Sequence, residues 1–423
     1  GNTVTYSEQM LDHIEEGAMD QAQKDFAWAL RKDDDDTLYS LAEELYALGL
    51  TNQAQRTYLK LLDRYPQEDE LRTALAEIAI DNGDNDEALS YLSQIQPSSP
   101  AYLQSLLVQA DLYQTEEQFE ITEAKLNEAY RMAPDEPAVL FALAEYYYLI
   151  GKFQEAIPFY FALIKAGHLE FAKVDIAGRL GTAYAQLGKF DQALGYLKQV
   201  APGYQTSDIR FQTGLTQLAL YQLKEAIITF KELAEDDGQY ASVYPALAQA
   251  YAEEHHYAQA LTTLQEGLAV DQYNEHLYAQ AAEMASHVGD TELMATYLKR
   301  AHELDPDNQT ITLQYSNFLL HQGQDDENLA LLAPLVDEND DPQVEWNLAQ
   351  SYLHKEDFDG AKQAFEAAAP ALSDNPTFLR QLIEFYQEMG MRPQLREAVE
   401  HYLTIDPADS ELQELLEQLD EDY

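Results

Sequence analysis

The chain contains no cysteine in 423 residues. That excludes a disulfide framework, thiolate catalysis and any metal site built on sulfur, and it suits a reducing compartment, here read as the cytoplasm. No run of eighteen apolar residues occurs, and a polar stretch followed by an amphipathic one opens the sequence, so neither membrane insertion nor a secretory leader is expected. Basic residues are scarce: Lys and Arg number 25 against 76 Asp and Glu, a formal net charge of −51 at pH 7. A field of that sign repels nucleic-acid backbones and anionic lipid surfaces, which sets both aside as principal partners. The same charge also keeps a long, tyrosine-rich chain in solution. Glycine-rich phosphate loops, His-Glu-x-x-His pairs and nucleophile elbows are missing too. Carboxylates are too numerous for any one pair to be informative. The sequence therefore offers no catalytic residue, no metal ligand and no cofactor site, and it does not read as an enzyme.

What is present is a period. In residues 138–166, AVLFALAEYYYLIGKFQEAIPFYFALIKA, apolar side chains recur at helical spacing to Ile150, stop at Gly151 and resume from Phe153. This describes two helices hinged at one glycine. Small residues, Ala144 and Ala156, stand where the helices would touch, and Tyr147, Tyr160 and Leu163 supply bulk. With Gly151 as reference, equivalent hinges fall at Gly17, Gly49, Gly83, Glu117, Gly188, Tyr221, His255, Gly289, Gly323, Glu356 and Gly390, spaced by 32 to 37 residues and most often by 34. Five residues beyond the hinge, alanine recurs in eight of twelve units, and nine beyond it every unit carries a large apolar residue, from Phe26 through Tyr160 and Phe230 to Val399. A lone hairpin cannot bury both apolar faces, so each one requires its neighbours.

A small residue seven before the hinge (Ala42, Ala76, Ala110, Ala144, Gly181, Gly214, Ala248), tyrosine three later (Tyr113, Tyr147, Tyr184, Tyr251), the alanine and large apolar positions above, and prolines closing several units (Pro66, Pro100, Pro134, Pro306, Pro407) together resemble the tetratricopeptide repeat. The resemblance spans essentially the whole chain, in the manner of long bacterial multi-repeat proteins. It implies an all-α, right-handed superhelical solenoid of about twelve helix-turn-helix repeats, closed by a capping helix over 410–419 whose Leu412, Leu415, Leu416 and Leu419 shield the last hairpin. No strand is expected. The 37-residue spacing between the fifth and sixth hinges places three extra residues within 166–174 and suggests an internal boundary. The expected organisation is thus an N-terminal array of about five repeats at 1–168, a C-terminal array of about seven at 169–407, and a capping helix with an acidic tail at 408–423. The tenth unit is expected to be the weakest, with Asn328 in the alanine slot and Pro334 inside its second helix.

The resemblance also implies that a ligand lies along the first helices of the hairpins. Six residues before the hinge, that face carries Glu43, Glu77, Asp111 and Glu145 in units two to five. It continues with Thr182 and Leu215, and then with Gln249, Glu283, Asn317, Gln350 and Glu384. Apolar and aromatic residues near this row include Phe141, Tyr148, Phe211 and Trp346. Acids interleaved with aromatics suit a protein or peptide partner with a basic, partly apolar segment, extended or helical; Tyr39 and Phe141 read equally as inter-repeat packing. Repeats that grip a C-terminal carboxylate carry Lys and Asn on these helices, and the acids here oppose that ligand. The leading expectation is a non-enzymatic scaffold for protein interaction. Two further readings are a self-associating, homo-oligomeric frame and a regulatory or accessory subunit of an enzyme complex. His287, His321 and His354 recur two residues before successive hinges, either by coincidence or as a titrating row.

Overall fold

The computed structural model describes residues 4–336 and 341–421. Over these it is all-α, a repeat solenoid of twelve hairpins and a final helix, Ser410–Glu421, making twenty-five α-helices among the described residues. The acidic tail expected beyond that helix, residues 422–423, lies outside them, as do residues 1–3.

Each hairpin closes in one way. The residue at the hinge adopts positive φ, +80° at Gly151, and the backbone N–H one residue later donates to the carbonyl five residues earlier, as from Lys152 to Tyr147 at 2.8 Å. This six-to-one bond satisfies a carbonyl the helix leaves orphaned. Glycine tolerates the conformation because it has no Cβ. Four hinges nevertheless place a side chain there, Glu117, Tyr221, His255 and Glu356, with φ of 59° to 63°.

Packing follows the periodic positions. All twelve large residues nine beyond the hinge are at most 5% exposed, and the small residues seven before it lie against them. Where the partner comes especially close, the small residue shrinks to glycine. A Cβ at Gly214 would stand 2.3 Å from the Phe230 ring, and one at Gly181 2.6 Å from Leu197. First helices of successive hairpins also touch: Tyr6–Glu15 meets Asp35–Ala47, and Glu275–Val288 meets Val243–Glu253.

The structure adds to the sequence reading at three places. The extra residues between hairpins five and six form a two-stranded antiparallel ribbon, Glu170–Phe171 against Val174–Asp175, where no strand was expected. Its two-residue turn, Ala172 and Lys173, holds φ of 47° and 63°, a conformation normally signalled by glycine or asparagine, so the usual hairpin signal was missing. The core also continues across residues 168/169: Tyr160 and Leu163 pack in one cluster with Ile176 and Leu180. The compact units are Gly1–Ile209 and Arg210–Tyr423, dividing within the first helix of hairpin seven.

Hairpin ten supplies the third. Its second helix does stop short, Asp325–Leu332, and a 3₁₀ turn, Ala333–Leu335, carries Pro334. Asn328 in the alanine slot, however, is wholly buried and fully bonded. Its Oδ1 accepts from Ser316 Oγ at 2.6 Å, and its Nδ2 donates to Ser351 Oγ at 2.8 Å and to the Asn347 carbonyl at 3.3 Å. Asn347 Nδ2 in turn donates to Ser316 and Asn317, and Ser351 donates to Asp325. A satisfied polar network replaces the apolar contact.

Candidate partner-binding face

In the compact unit Gly1–Ile209, Glu43, Glu77 and Asp111 stand exposed on the first helices of hairpins two, three and four, Asp35–Ala47, Asp69–Asp81 and Tyr102–Thr115. Each follows a buried small residue, Ala42, Ala76 or Ala110, so the packing that seats the alanine turns the acid outward. Partial desolvation by the helices beside it, and then the nearby Asp81, hold the Glu77 carboxyl above the usual carboxylate range although its side chain reaches solvent.

Glu145, the fourth member of the row, is already engaged. Arg179 donates to it through Nε at 2.9 Å and Nη2 at 3.2 Å, and the buried Tyr160 hydroxyl donates at 2.5 Å. The same guanidinium lies 4.6 Å from the ring centre of Tyr148. Two expected site residues, Glu145 and Tyr148, are therefore bound up within the chain. Arg179 follows Glu145 by 34 residues and would occupy its equivalent position in an unbroken array. The three inserted residues move it about one helical turn from that register, from which it reaches back.

The aromatic candidates also make packing contacts. Phe141 is half-buried with its ring centre 5.0 Å from that of Phe171 on the inserted ribbon. Phe211 leans on Phe230 and Tyr240 at 5.8 and 5.3 Å, and half-buried Leu215 packs with the same cluster. Trp346 belongs to the core: it is 9% exposed, crosses Phe378 edge to face and donates Nε1–H to Gln381 at 2.8 Å. Tyr39 donates to Glu70 at 3.3 Å and Tyr46 to Asp81, each bond linking one hairpin to the next.

In the second unit the position six before the hinge lines two clefts. One, of about 480 Å³, is bounded by Gln249, Glu253, Gln280 and Glu283, with Tyr221, His255, Tyr257 and His287. The other, of about 520 Å³, shares Glu283 and adds Gln314, Asn317 and His321. No lysine or arginine lines either. The histidine row is not uniform: His287 stacks on Tyr257 with ring centres 3.9 Å apart, His321 lines the second cleft, and His354 pairs with Asp325 at 3.1 Å. The site residues named from sequence concentrate in the first unit. The clefts share that register, since Gln249, Glu283 and Asn317 occupy it, but their walls come from neighbouring hairpins and so carry no local sequence signal.

The chain is 30% identical to the TPR repeat-containing protein YpiA of Bacillus subtilis (strain 168), over 99% of both chains. It belongs to that family of tetratricopeptide repeat proteins. The YpiA-like tetratricopeptide repeats match residues 114–168, their C-terminal counterpart matches 342–409, and a general tetratricopeptide repeat matches 289–351. Among solved structures, a tetratricopeptide repeat protein from Parabacteroides merdae aligns over 60% of this chain and 99% of its own, with 16% identity and a TM-score of 0.43. YrrB, described as a TPR protein with an unusual peptide-binding site, aligns over 45% of this chain and 96% of its own, with 19% identity and a TM-score of 0.38. Tetratricopeptide repeat proteins generally mediate protein–protein interaction, and they are typically non-enzymatic scaffolds. No helix among the described residues is long and apolar enough to cross a membrane.

Proposed function

We propose that this YpiA-like chain is a non-enzymatic interaction scaffold of the cytoplasm whose first-helix face holds a basic or amphipathic segment of a partner protein. One observation carries the reading. A single register position, six residues before the hinge, presents exposed carboxylates at Glu43, Glu77 and Asp111 in the first unit and lines two clefts through Gln249, Glu283 and Asn317 in the second. Within each compact unit, side chains that point outward in register offer a ligand repeated contacts, and the acids among them select a cationic segment.

Fluorescence polarisation tests this with two labelled peptides of equal length, one alternating Arg and Leu and the other Glu and Leu. The variant Glu43→Gln, Glu77→Gln, Asp111→Asn is compared with a control, Asp20→Asn, Asp63→Asn, Glu120→Gln, which neutralises three exposed acids on second helices. The expected result is salt-sensitive binding of the basic peptide alone, weakened about tenfold in the first variant and little in the control, equivalent to about 1.4 kcal/mol. Equal weakening in both variants would reduce the row to bulk charge and overturn the reading.

A further inference from the structure

The cleft bounded by Tyr221, Tyr257 and His287 has a chemistry of its own. Its floor includes Ala248, Leu264 and Met284, and its side walls are aromatic. The Tyr257 and His287 rings lie parallel within 5°, at 3.9 Å between centres, and His255 Nδ1 lies 2.9 Å from the Tyr257 hydroxyl, so the ring pair is fixed in orientation. Two carboxylates border the space. Glu253 accepts from Tyr221 Oη at 2.6 Å, while exposed Glu283 has no hydrogen-bond or ion-pair partner among the described residues. Among the described residues no lysine or arginine lines the cleft to neutralise them. Two of the four hinges that carry a side chain in place of glycine, Tyr221 and His255, turn toward this space.

We propose that this cleft seats one arginine side chain of the partner segment, its guanidinium stacked against the aromatic wall and its charge met by Glu283 and Glu253. A planar, weakly hydrated cation lies flat on aromatic faces and bonds to carboxylates through a fork of N–H donors, and lysine lacks that geometry. A volume of about 480 Å³ exceeds the guanidinium alone and leaves room for adjoining backbone beside Gln249 and Gln280. The proposal rests on the first-helix face being the ligand face, and it narrows the partner's chemistry to an arginine anchor.

The test uses the full chain with histidine labelled for NMR, the His255 and His287 ring signals being assigned by single His→Gln variants. Nα-acetyl-arginine amide, its lysine analogue and its leucine analogue are titrated separately. The expected result is a saturable shift of the His287 signal with arginine amide, at least fivefold weaker binding of the lysine analogue, and no saturable response to leucine. Glu283→Gln should weaken arginine amide at least fivefold, and Glu266→Gln, outside the cleft, should leave it unchanged. Equal response to arginine and leucine amides, or an unaltered titration in Glu283→Gln, would overturn the proposal. Because the probe is a single residue, a response here persists even if the peptides above fail to bind, so the two readings fail separately.

Discussion

A Cβ added at Gly151 would meet nothing within 4 Å, so any penalty there comes from the backbone alone, held at φ +80°. The left-handed conformation costs an L-residue roughly 1–2 kcal/mol. Gly151→Ala should therefore destabilise by about 1 kcal/mol, and Glu117→Gly should stabilise by a few tenths to about 1 kcal/mol once glycine's larger unfolded-state entropy is subtracted. Paired urea denaturation of the two variants checks both signs, and a loss of stability in Glu117→Gly would contradict the hinge argument. Residue-scale reasoning also explains Glu145. A carboxylate that accepts from Arg179 and from a buried tyrosine acts as a structural acceptor, unlike the exposed Glu43, Glu77 and Asp111 of the same row.

Among the elements, hairpin ten separates apolar packing from a polar network. If its alanine slot merely needed a small side chain, Asn328→Ala would restore the repeat pattern and stabilise the chain. The observed bonds require the opposite. Removing the amide takes the acceptor from the Ser316 hydroxyl and one donor each from Ser351 Oγ and the Asn347 carbonyl inside a buried site, where an unsatisfied polar group costs about 1–3 kcal/mol. The expected destabilisation is about 3 kcal/mol by chemical denaturation, and a rise in stability would show the network to be dispensable. The ribbon at Glu170–Asp175 belongs to this scale too, since three residues inserted between hairpins added a covered aromatic contact and displaced Arg179 by a turn.

Over the whole molecule, tyrosines that donate to carboxylates make stability sensitive to alkali. Hydrogen bonding to Asp81 raises Tyr46 to about 12, burial beside Glu123 raises Tyr147 to about 12, and hydrogen bonding to Glu170 raises Tyr204 to about 12. Burial pushes Tyr58 and Tyr160 up further. An unfolded tyrosine ionises near pH 10, so at higher pH the unfolded chain sheds protons that the folded chain retains. The stability from these groups is complete below about pH 10 and is lost as pH rises toward about 12. The late-ionising part of the tyrosinate absorbance should rise together with the loss of helical circular dichroism in that window; complete ionisation near pH 10 with helicity intact would contradict the assignment.

The paired-helix repeat, the twelve hinges and the buried ladder were legible in the sequence because each depends on residues at most one helical turn or one repeat apart, and repetition multiplied a weak local signal. Phe26, Tyr160, Phe230 and Val399 are core for the same local reason. Trp346 was misplaced, because one helix turn decides whether an aromatic faces the next hairpin or the solvent, and its bond to Gln381 crosses 35 residues. The ribbon was hidden because Ala172 and Lys173 hold a turn conformation their side chains do not announce. Sequence alone determined the family's repeat, its acidic character and the register of its outward face. Tertiary structure decided which acids in that register are free and where clefts open, because neutralisation of Glu145 by Arg179 and the stacking of His287 on Tyr257 exist only once separate hairpins are packed side by side.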